Sequence, residues 1–240
     1  MKKTWLRRAL WVGILVFSLT LWLPAASAQA VTELVLPTAA QGLVWDGSVQ
    51  TGVAAGEGHA VINGTGTAPG SYKATVSLTD KTNTVWQNTK DSVDQEIIWG
   101  IAPKPIPEPQ PITGLVYDGT QKTGVAAGND YTVSNGTGTT VGGYTATVSL
   151  TDKANTVWQH AKTNADQGIG WSIAPKPIPV PQPVAGLVYD GAEKTGVAAG
   201  NDYTVSNGTG INAGSYTAKA SLTDKTNTVW QGTNGSNADQ

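Results

Sequence analysis

The most informative segment of the chain reads Gly142-Gly143-Tyr144-Thr145-Ala146-Thr147-Val148-Ser149-Leu150-Thr151. From Tyr144 onward each apolar side chain is followed by a Thr or a Ser, so the pattern has a period of two. Successive side chains of a β-strand point to opposite faces of the sheet, and this period is therefore typical of a strand with one buried face. Ile169, Trp171 and Ile173 alternate in the same way. Since no segment after the first 28 residues has a sustained 3.6-residue period, we predict an all-β fold.

The alternating segment belongs to a repeat that occurs three times at an interval of 72 residues. The shared motifs, with the number of the first residue in each repeat, are Leu-Val-Trp/Tyr-Asp-Gly (43, 115, 187), Thr-Gly-Val-Ala-Ala-Gly (51, 123, 195), Asn-Gly-Thr-Gly (63, 135, 207), Ser-Leu-Thr-Asp-Lys (77, 149, 221) and Thr-Val-Trp (84, 156, 228). Solenoid repeats have periods of roughly 20 to 50 residues. The longer interval predicts that each repeat is a small domain with its own core.

Short strands separated by turn residues are typical of an antiparallel β-sandwich. Asp118-Gly119 and Asn135-Gly136 are predicted to be type I′ turns, which need a positive φ at both central residues. Because these domains are small, aromatic side chains are expected to supply much of each core. In the second repeat those side chains are Trp158, Trp171, Tyr117, Tyr131 and Tyr144.

The first 28 residues have the features of a secretory signal peptide. Lys2, Lys3, Arg7 and Arg8 precede a run dominated by apolar residues from Ala9 to Leu23, and small residues follow Pro24. We predict cleavage after Ala28 and therefore a secreted or cell-surface protein. An uncleaved membrane anchor is the alternative, but the run is shorter than the roughly 20 residues that span a bilayer.

Two proline-rich runs separate the repeats, and they set the predicted domain boundaries. The predicted segments are a signal peptide (1–28), repeat 1 (29–102), a linker (103–111), repeat 2 (112–174), a linker (175–183) and repeat 3 (184–240). Proline at every second position fixes φ and removes N–H donors, which predicts a semi-rigid polyproline II spacer of roughly 28 Å. The alternative is that part of each run pairs as an edge strand of the next repeat.

Composition and charge exclude several classes of function. The 240 residues include no Cys, so neither a disulfide framework nor a thiolate metal site can form. After residue 28 the chain has 11 Lys, no Arg and 17 acidic residues, a net charge of −6. This balance lacks the positive footprint of a nucleic-acid-binding protein, and we predict no nucleic-acid partner.

The sequence gives little support for a catalytic or metal-binding site. The two histidines, His59 and His160, lie in different repeats and have no counterparts in the others, which argues against a triad or a multi-histidine site. Asp46, Asp118 and Asp190 each precede a Gly and are explained by turn chemistry. We predict no enzyme, no metal and no cofactor. A calcium site is the alternative for a group of carboxylates and nearby amides, namely Asp80, Asp152, Asp224, Asn83, Asn155 and Asn227.

The remaining binding candidates are the tryptophans of the Thr-Val-Trp motif, Trp86, Trp158 and Trp230. An exposed indole can stack on a sugar ring, whereas the alternative is an indole packed under the loop that follows. Asn63, Asn135 and Asn207 match the glycosylation sequon, although the Asn-Gly turn explains them better.

The order of motifs resembles a known family. Read from the second repeat, it is Leu-Val-Tyr-Asp-Gly, Lys-Thr-Gly-Val, Asp-Tyr-Thr-Val-Ser-Asn-Gly-Thr-Gly, Gly-Gly-Tyr-Thr-Ala-Thr-Val-Ser-Leu-Thr-Asp and Trp-Ser-Ile-Ala-Pro-Lys. This order resembles the bacterial immunoglobulin-like modules called MBG domains of the YDG type, over residues 37 to 240. The resemblance implies tandem extracellular domains with a spacing or adhesive role and no catalytic residues. The first repeat departs from the second at Trp45, His59 and Ile62.

The third repeat lacks the strand that carries Ile97, Trp99 and Ile101 in the first repeat. A truncated gene product is one explanation. Strand donation by another chain is the other, with Val31 to Leu36 of a neighbour as the donor, in a head-to-tail filament. The expected function is a non-enzymatic, exported structural or spacer array. The alternative is an adhesin or carbohydrate-binding array that uses the repeated Trp and Tyr residues for multivalent contact. Its expected partner is an unknown extracellular protein or glycan, with no membrane contact after cleavage.

Overall fold

The computed structural model describes residues 30–240, in which every regular element is a β-strand. The predicted signal peptide, 1–28, lies outside the described residues. The strands form three similar units, which we call unit 1 (30–102), unit 2 (103–174) and unit 3 (175–240). The all-β fold is thereby confirmed, and the arrangement in each unit is consistent with a small β-sandwich.

Units 1 and 2 each contain seven strands and unit 3 contains six. Unit 1 has β1 (Thr32–Leu34), β2 (Gln50–Thr51), β3 (His59–Ile62), β4 (Thr65–Gly66), β5 (Gly70–Leu78), β6 (Thr84–Trp86) and β7 (Gln95–Ile101). Unit 2 has β8 (Lys104–Ile106), β9 (Lys122–Thr123), β10 (Tyr131–Ser134), β11 (Thr137–Gly138), β12 (Gly142–Leu150), β13 (Thr156–Trp158) and β14 (Gln167–Ile173). Unit 3 has β15 (Lys176–Ile178), β16 (Lys194–Thr195), β17 (Tyr203–Ser206), β18 (Thr209–Gly210), β19 (Lys219–Leu222) and β20 (Thr228–Trp230).

The central sheet of unit 2 is antiparallel and has the order β10-β12-β14. Ala146, Val148 and Leu150 of β12 are buried, and the residues between them are exposed or half-buried. The alternation read from the sequence therefore corresponds to one buried sheet face. Unit 1 has the same sheet, in the order β3-β5-β7, whereas the sheet of unit 3 has only β17 and β19.

The proline-rich runs differ from the predicted spacers. Lys104–Ile106 and Lys176–Ile178 form strands β8 and β15. β8 pairs in parallel with β13 within unit 2, and β15 pairs in parallel with β20 within unit 3. The structure thus has the edge strand that the sequence left as the alternative, and the sandwich is not purely antiparallel. Only two residues, 102–103 or 174–175, separate the last strand of one unit from the first strand of the next.

The spacing of the prolines explains how this segment can be a strand. Lys104 donates its N–H to the Asn155 carbonyl at 2.9 Å, and the Ile106 carbonyl accepts from Gln159 N–H at 2.8 Å. Pro105 lies between them on the side of the strand that faces away from β13, where no donor is needed. Because the prolines occupy alternate positions, they leave one hydrogen-bonding edge intact.

The Asn-Gly and Asp-Gly turns are not of the predicted type. Asn135 has a φ of 56° and Gly119 a φ of 83°, but Gly136 and Asp118 are not in the positive-φ region. Asn135-Gly136 joins β10 to β11, which pair with different strands, so this turn moves the chain from one sheet to another. Gly136 is required for close approach, since a Cβ there would lie 2.5 Å from the Val125 carbonyl oxygen.

Each unit has its own apolar core, as the repeat interval predicts. The core of unit 2 contains buried Trp158 and Trp171, and Tyr117, Tyr131 and Tyr144 pack against it. Units 1 and 3 have corresponding clusters around Trp86 and Trp230. Within residues 30–240, no helix has both the length and the apolar character needed to cross a membrane.

Candidate functional site

The three tryptophans predicted as binding candidates lie in the cores. Trp86 and Trp158 are fully buried, and Trp230 is 1% exposed. Each indole N–H donates at 2.8 Å to a carbonyl of the loop that follows, from Val93, Ala165 or Ala238. The structure therefore has the alternative arrangement, an indole packed under the next loop. A buried indole offers no face to a sugar ring, so these residues do not form a binding surface here.

The predicted calcium ligands serve to close a turn. Asp152 accepts hydrogen bonds from the backbone N–H and from the side-chain amide of Asn155, and Asp80 and Asp224 do the same with Asn83 and Asn227. These bonds use the carboxylate oxygens that a cation would need. Among residues 30–240, no group of three or more His, Cys, Asp or Glu side chains is arranged to hold a metal ion.

The Asp-Gly carboxylates also belong to turns. Asp118 accepts from Thr120 N–H at 2.9 Å and forms an ion pair with Lys122. The Lys122 ammonium and the Thr120 hydroxyl hold the pKa of Asp118 well below its usual range. The carboxylate therefore stays ionised at neutral pH and is unsuited to act as a general acid.

The two histidines have different structural roles. His59 of unit 1 stands where unit 2 has Tyr131, and its ring lies 6.3 Å from that of Trp86. His160 is exposed and its Nδ1 lies 2.6 Å from Glu108 Oε2. Although burial raises the pKa of Glu108, the bonds from His160 and Ala161 N–H lower it to about 2. This pair joins the proline-rich segment to the loop after β13.

A site that the sequence reasoning missed surrounds Trp171 of β14. Its indole stacks on Tyr144, with ring centroids 4.3 Å apart, and its N–H donates to the Asn135 carbonyl at 3.2 Å. A Cβ at Gly124 would lie 1.9 Å from the indole, and one at Gly138 would lie 3.0 Å from it. We call the space bounded by these two glycines and Tyr144 the indole slot of unit 2.

Unit 1 has the same indole slot, formed by Gly52, Gly66 and Tyr72, and Trp99 fills it. A Cβ at Gly52 would lie 1.9 Å from Trp99, and the Tyr72 ring stacks on Trp99 at 4.4 Å. The signal for the slot is present in the sequence as glycines that recur at an interval of 72 residues, Gly52 and Gly124 directly after a strand and Gly66 and Gly138 within one. Their role was not apparent because turn chemistry also explains a repeated glycine.

Unit 3 keeps the residues of the slot, Gly196, Gly210 and Tyr216, but no indole fills it. The nearest atom to a Cβ at Gly196 would be the Gly208 carbonyl oxygen, at 3.6 Å. A cavity of about 220 Å³ lies at this place, lined by these three residues together with Leu187 and Tyr189. The slot of unit 3 is therefore open.

Comparison with models of known protein families gives no match, and comparison with curated proteins gives none either. The class of protein that the structure itself defines is an all-β chain of three tandem units, each with its own core.

Proposed function

We propose that this chain is a non-enzymatic, exported structural array that holds other parts of a bacterial surface or secreted protein at a fixed separation. The units correspond to immunoglobulin-like modules of the MBG type. The observation that carries the proposal is the direct joint between units, in which β14 ends at Ile173 and β15 begins at Lys176. So short a joint leaves little freedom for one unit to bend against the next.

Contacts across the second joint support a stiff array. Asn227 of unit 3, which is 9% exposed, accepts from Val141 N–H of unit 2 at 3.0 Å. The side-chain amide of Asn227 also donates to Asp224 at 2.9 Å, and this bond is the main cause of the lowered pKa of Asp224. The side chain that bonds to unit 2 is thus held by a turn of unit 3, and the two units are joined by a side chain as well as by the backbone.

The first joint lacks this hydrogen bond for a reason that the sequence shows. The residue corresponding to Val141 in unit 1 is Pro69, which has no N–H to donate. Both joints have a two-residue connection, but only the second also has this hydrogen bond, and we therefore expect the first joint to be the less stiff of the two.

Small-angle X-ray scattering of residues 29–240 tests the proposal. A stiff array gives a distribution of interatomic distances that is skewed towards long values. Units 2 and 3 together should then scatter as one elongated body of a single length. The matched control has six Gly and Ser residues inserted between Ala174 and Pro175, which should broaden the distribution. If the natural chain scatters like the control, the units move independently and the role as a spacer of fixed length is contradicted.

Export is tested separately by expressing the full chain in a bacterium. We expect the protein outside the cytoplasm with Gln29 as its first residue, because Ala28 lies at the predicted cleavage site. If the protein still begins at Met1, or if it stays in the cytoplasm, the proposed export is contradicted.

An adhesive or glycan-binding array was the alternative from the sequence. Its three numbered candidates, Trp86, Trp158 and Trp230, are buried, so contact with a ligand would have to come from the repeated tyrosines, and this role stays a prediction. The spacer role requires no such residues, since it depends on the folded cores and on the joints.

A further inference from the structure

Strand β1 of unit 1 has an outer edge that the role as a spacer does not use. We propose that the chain, after removal of the predicted signal peptide, forms a dimer in which β1 of one copy pairs antiparallel with β1 of the other. The register of this pairing places Leu34 opposite Leu34 of the second copy.

The inner edge of β1 is already used within unit 1. Thr32 donates its N–H to a carbonyl next to β6 at 2.8 Å, and the Leu34 carbonyl accepts from an N–H on the other side of β6, also at 2.8 Å. The C=O and N–H groups of a trans peptide point in opposite directions. The backbone groups of Glu33 and the N–H of Val35 therefore face away from β6. Among residues 30–240, the Val35 N–H has no backbone acceptor.

The same outer edge is blocked in the other two units. Strands β8 and β15 bond to their neighbours as β1 does, at 2.9 and 2.8 Å in unit 2 and at 3.0 and 2.7 Å in unit 3. The outward positions that correspond to 33 and 35 are prolines in both units, namely Pro105, Pro107, Pro177 and Pro179. Proline has no N–H, and natural sheets use it to keep an edge strand from pairing with another chain. Unit 1 lacks this protection.

Apolar side chains accompany the unprotected edge. Val31 is 52% exposed and Val35 is 67% exposed, and the side chain between them on this face is that of Glu33. The Lys90 ammonium lies 2.7 Å from the Glu33 carboxylate and neutralises it. An exposed strand edge with apolar side chains and a paired charge is a site at which another strand adds to the sheet.

The backbone chemistry of this edge matches a second copy of itself. An antiparallel neighbour both donates and accepts at the positions that face the first strand. The outer edges of β8 and β15 offer only carbonyls at their proline positions, so they can form only part of such a ladder. Strand β1 of a second copy offers both groups at Glu33.

Charge selects the register of the pairing. If Glu33 lay opposite Glu33 of the second copy, two like charges would face each other, which destabilises a sheet. With Leu34 on the two-fold axis, Glu33 of each copy lies opposite Val35 of the other, and each such pair exchanges two hydrogen bonds. Leu34 packs against the core of unit 1, so this register also continues the apolar contact across the axis.

This pairing differs from the strand donation considered from the sequence. The segment from Val31 to Leu36 is not available as a donated strand, because Thr32–Leu34 already pairs with β6 of its own unit. It offers its outer edge instead, and the pairing of two identical edges about a two-fold axis closes on itself. The expected assembly is therefore a dimer joined at unit 1 and not a head-to-tail filament.

Sedimentation velocity of residues 29–240, from about 1 μM to about 1 mM, tests the proposal. We expect a mass that rises with concentration towards that of two chains. Glu33→Pro should weaken the association on the order of 30-fold, because one intermolecular N–H donor is lost from each copy. Glu33→Gln is the matched control, since it keeps the N–H, and it should dimerise nearly as well as the natural chain.

Unit 1 should stay folded in the Glu33→Pro variant. Units 2 and 3 have proline at the corresponding position and form the same parallel pair. Hydrogen exchange checks this, because the amides of β5 and β7 should exchange as slowly as in the natural chain. The variant also provides a monomer for the scattering experiment, so a failure of the dimer and a failure of the spacer role can be distinguished.

Single cysteines test the register, since the natural chain has none. Leu34 would face Leu34 of the second copy in a non-hydrogen-bonded pair, whose Cα atoms are about 4.5 Å apart and within the range of a disulfide. Leu34→Cys should therefore give a disulfide-linked dimer on oxidation in air. Val31→Cys is the control, because the two copies of residue 31 would lie about 20 Å apart and should not become linked.

Three results would overturn the proposal. One is the mass of a single chain throughout the concentration range, which would leave the edge of β1 to an extended segment of a different protein. Another is an equal effect of Glu33→Pro and Glu33→Gln on the association, which would show that the backbone N–H has no part in it. The third is a linked dimer that forms as readily with Val31→Cys as with Leu34→Cys.

Discussion

Replacing Trp171 by Ala should remove a large part of the stability of unit 2. The side chain is 5% exposed, stacks on Tyr144 and donates to the Asn135 carbonyl. Truncating a buried Trp to Ala typically costs about 3–5 kcal/mol, because apolar contacts are lost and a cavity remains. A unit of this size has a free energy of unfolding of roughly 4–11 kcal/mol, from the usual stability per residue. We therefore expect unit 2 of the variant to be barely stable.

Native-state hydrogen exchange with mass spectrometry is the suitable assay, because peptides from each unit report its opening separately. The free energy of opening should fall by about 3–5 kcal/mol in unit 2 and change little in units 1 and 3. Ser172→Ala is the matched control, since Ser172 is adjacent on β14 and points to the exposed face. Its effect should stay within about 0.5 kcal/mol. A loss below about 1 kcal/mol at Trp171→Ala would refute the assigned packing of the indole slot.

Three further predictions concern the joint, the proline-rich segment and a turn. Asn227→Ala should widen the range of angles between units 2 and 3 in residual dipolar couplings, whereas Asn155→Ala should not affect units 1 and 2, and equal effects would contradict the assigned joint. The low pKa of Glu108 stabilises unit 2 at pH above 4.5, and this contribution disappears as the pH falls towards 2. The urea concentration at which half of unit 2 is unfolded should therefore depend less on pH in the Glu108→Gln variant than in the natural chain over this range. If the variant shows the same pH dependence as the natural chain, the assigned pair of Glu108 and His160 is contradicted. Gly136→Ala should cost about 1–3 kcal/mol in thermal unfolding, because its Cβ would lie 2.5 Å from a carbonyl oxygen, and a neutral result would contradict that close approach.

The controls for the last two predictions use the same chain. Gly143→Ala has open space around its Cβ and should leave thermal unfolding nearly unchanged. Val180 of unit 3 occupies the position of Glu108, so unit 3 serves as an internal reference for the pH profile.

The strands and cores were predictable because their signals are local. The alternation at Tyr144 to Leu150 identifies β12, and the aromatic residues proposed for the core of unit 2 are those found there. The turn type was wrong at Asn135-Gly136, since the residues of a turn indicate a bend but do not say which strands the bend connects. In this case the two flanking strands pair with different neighbours.

The role of the proline-rich runs depended on what lies beside them. When the segment is considered alone, the prolines at 103 and 105 suggest a spacer, because proline has no backbone N–H to donate to a neighbouring strand. The fold of unit 2 places β13 along the edge that carries the remaining donor and acceptor groups, at Lys104 and Ile106. The pairing that converts the segment into a strand is formed with residues about 50 positions away, at 156–158.

The sequence by itself determined the strand content, the threefold repetition, the absence of cysteine chemistry and the lack of a third Ile-x-Trp-x-Ile strand in residues 30–240. These properties depend on composition and on short-range periodicity. The tertiary structure alone decided that Trp86, Trp158 and Trp230 are buried, that the units join directly and that Gly196 borders an open slot. Each of these depends on which distant residues approach one another, and burial, pairing and empty space exist only once the strands are packed.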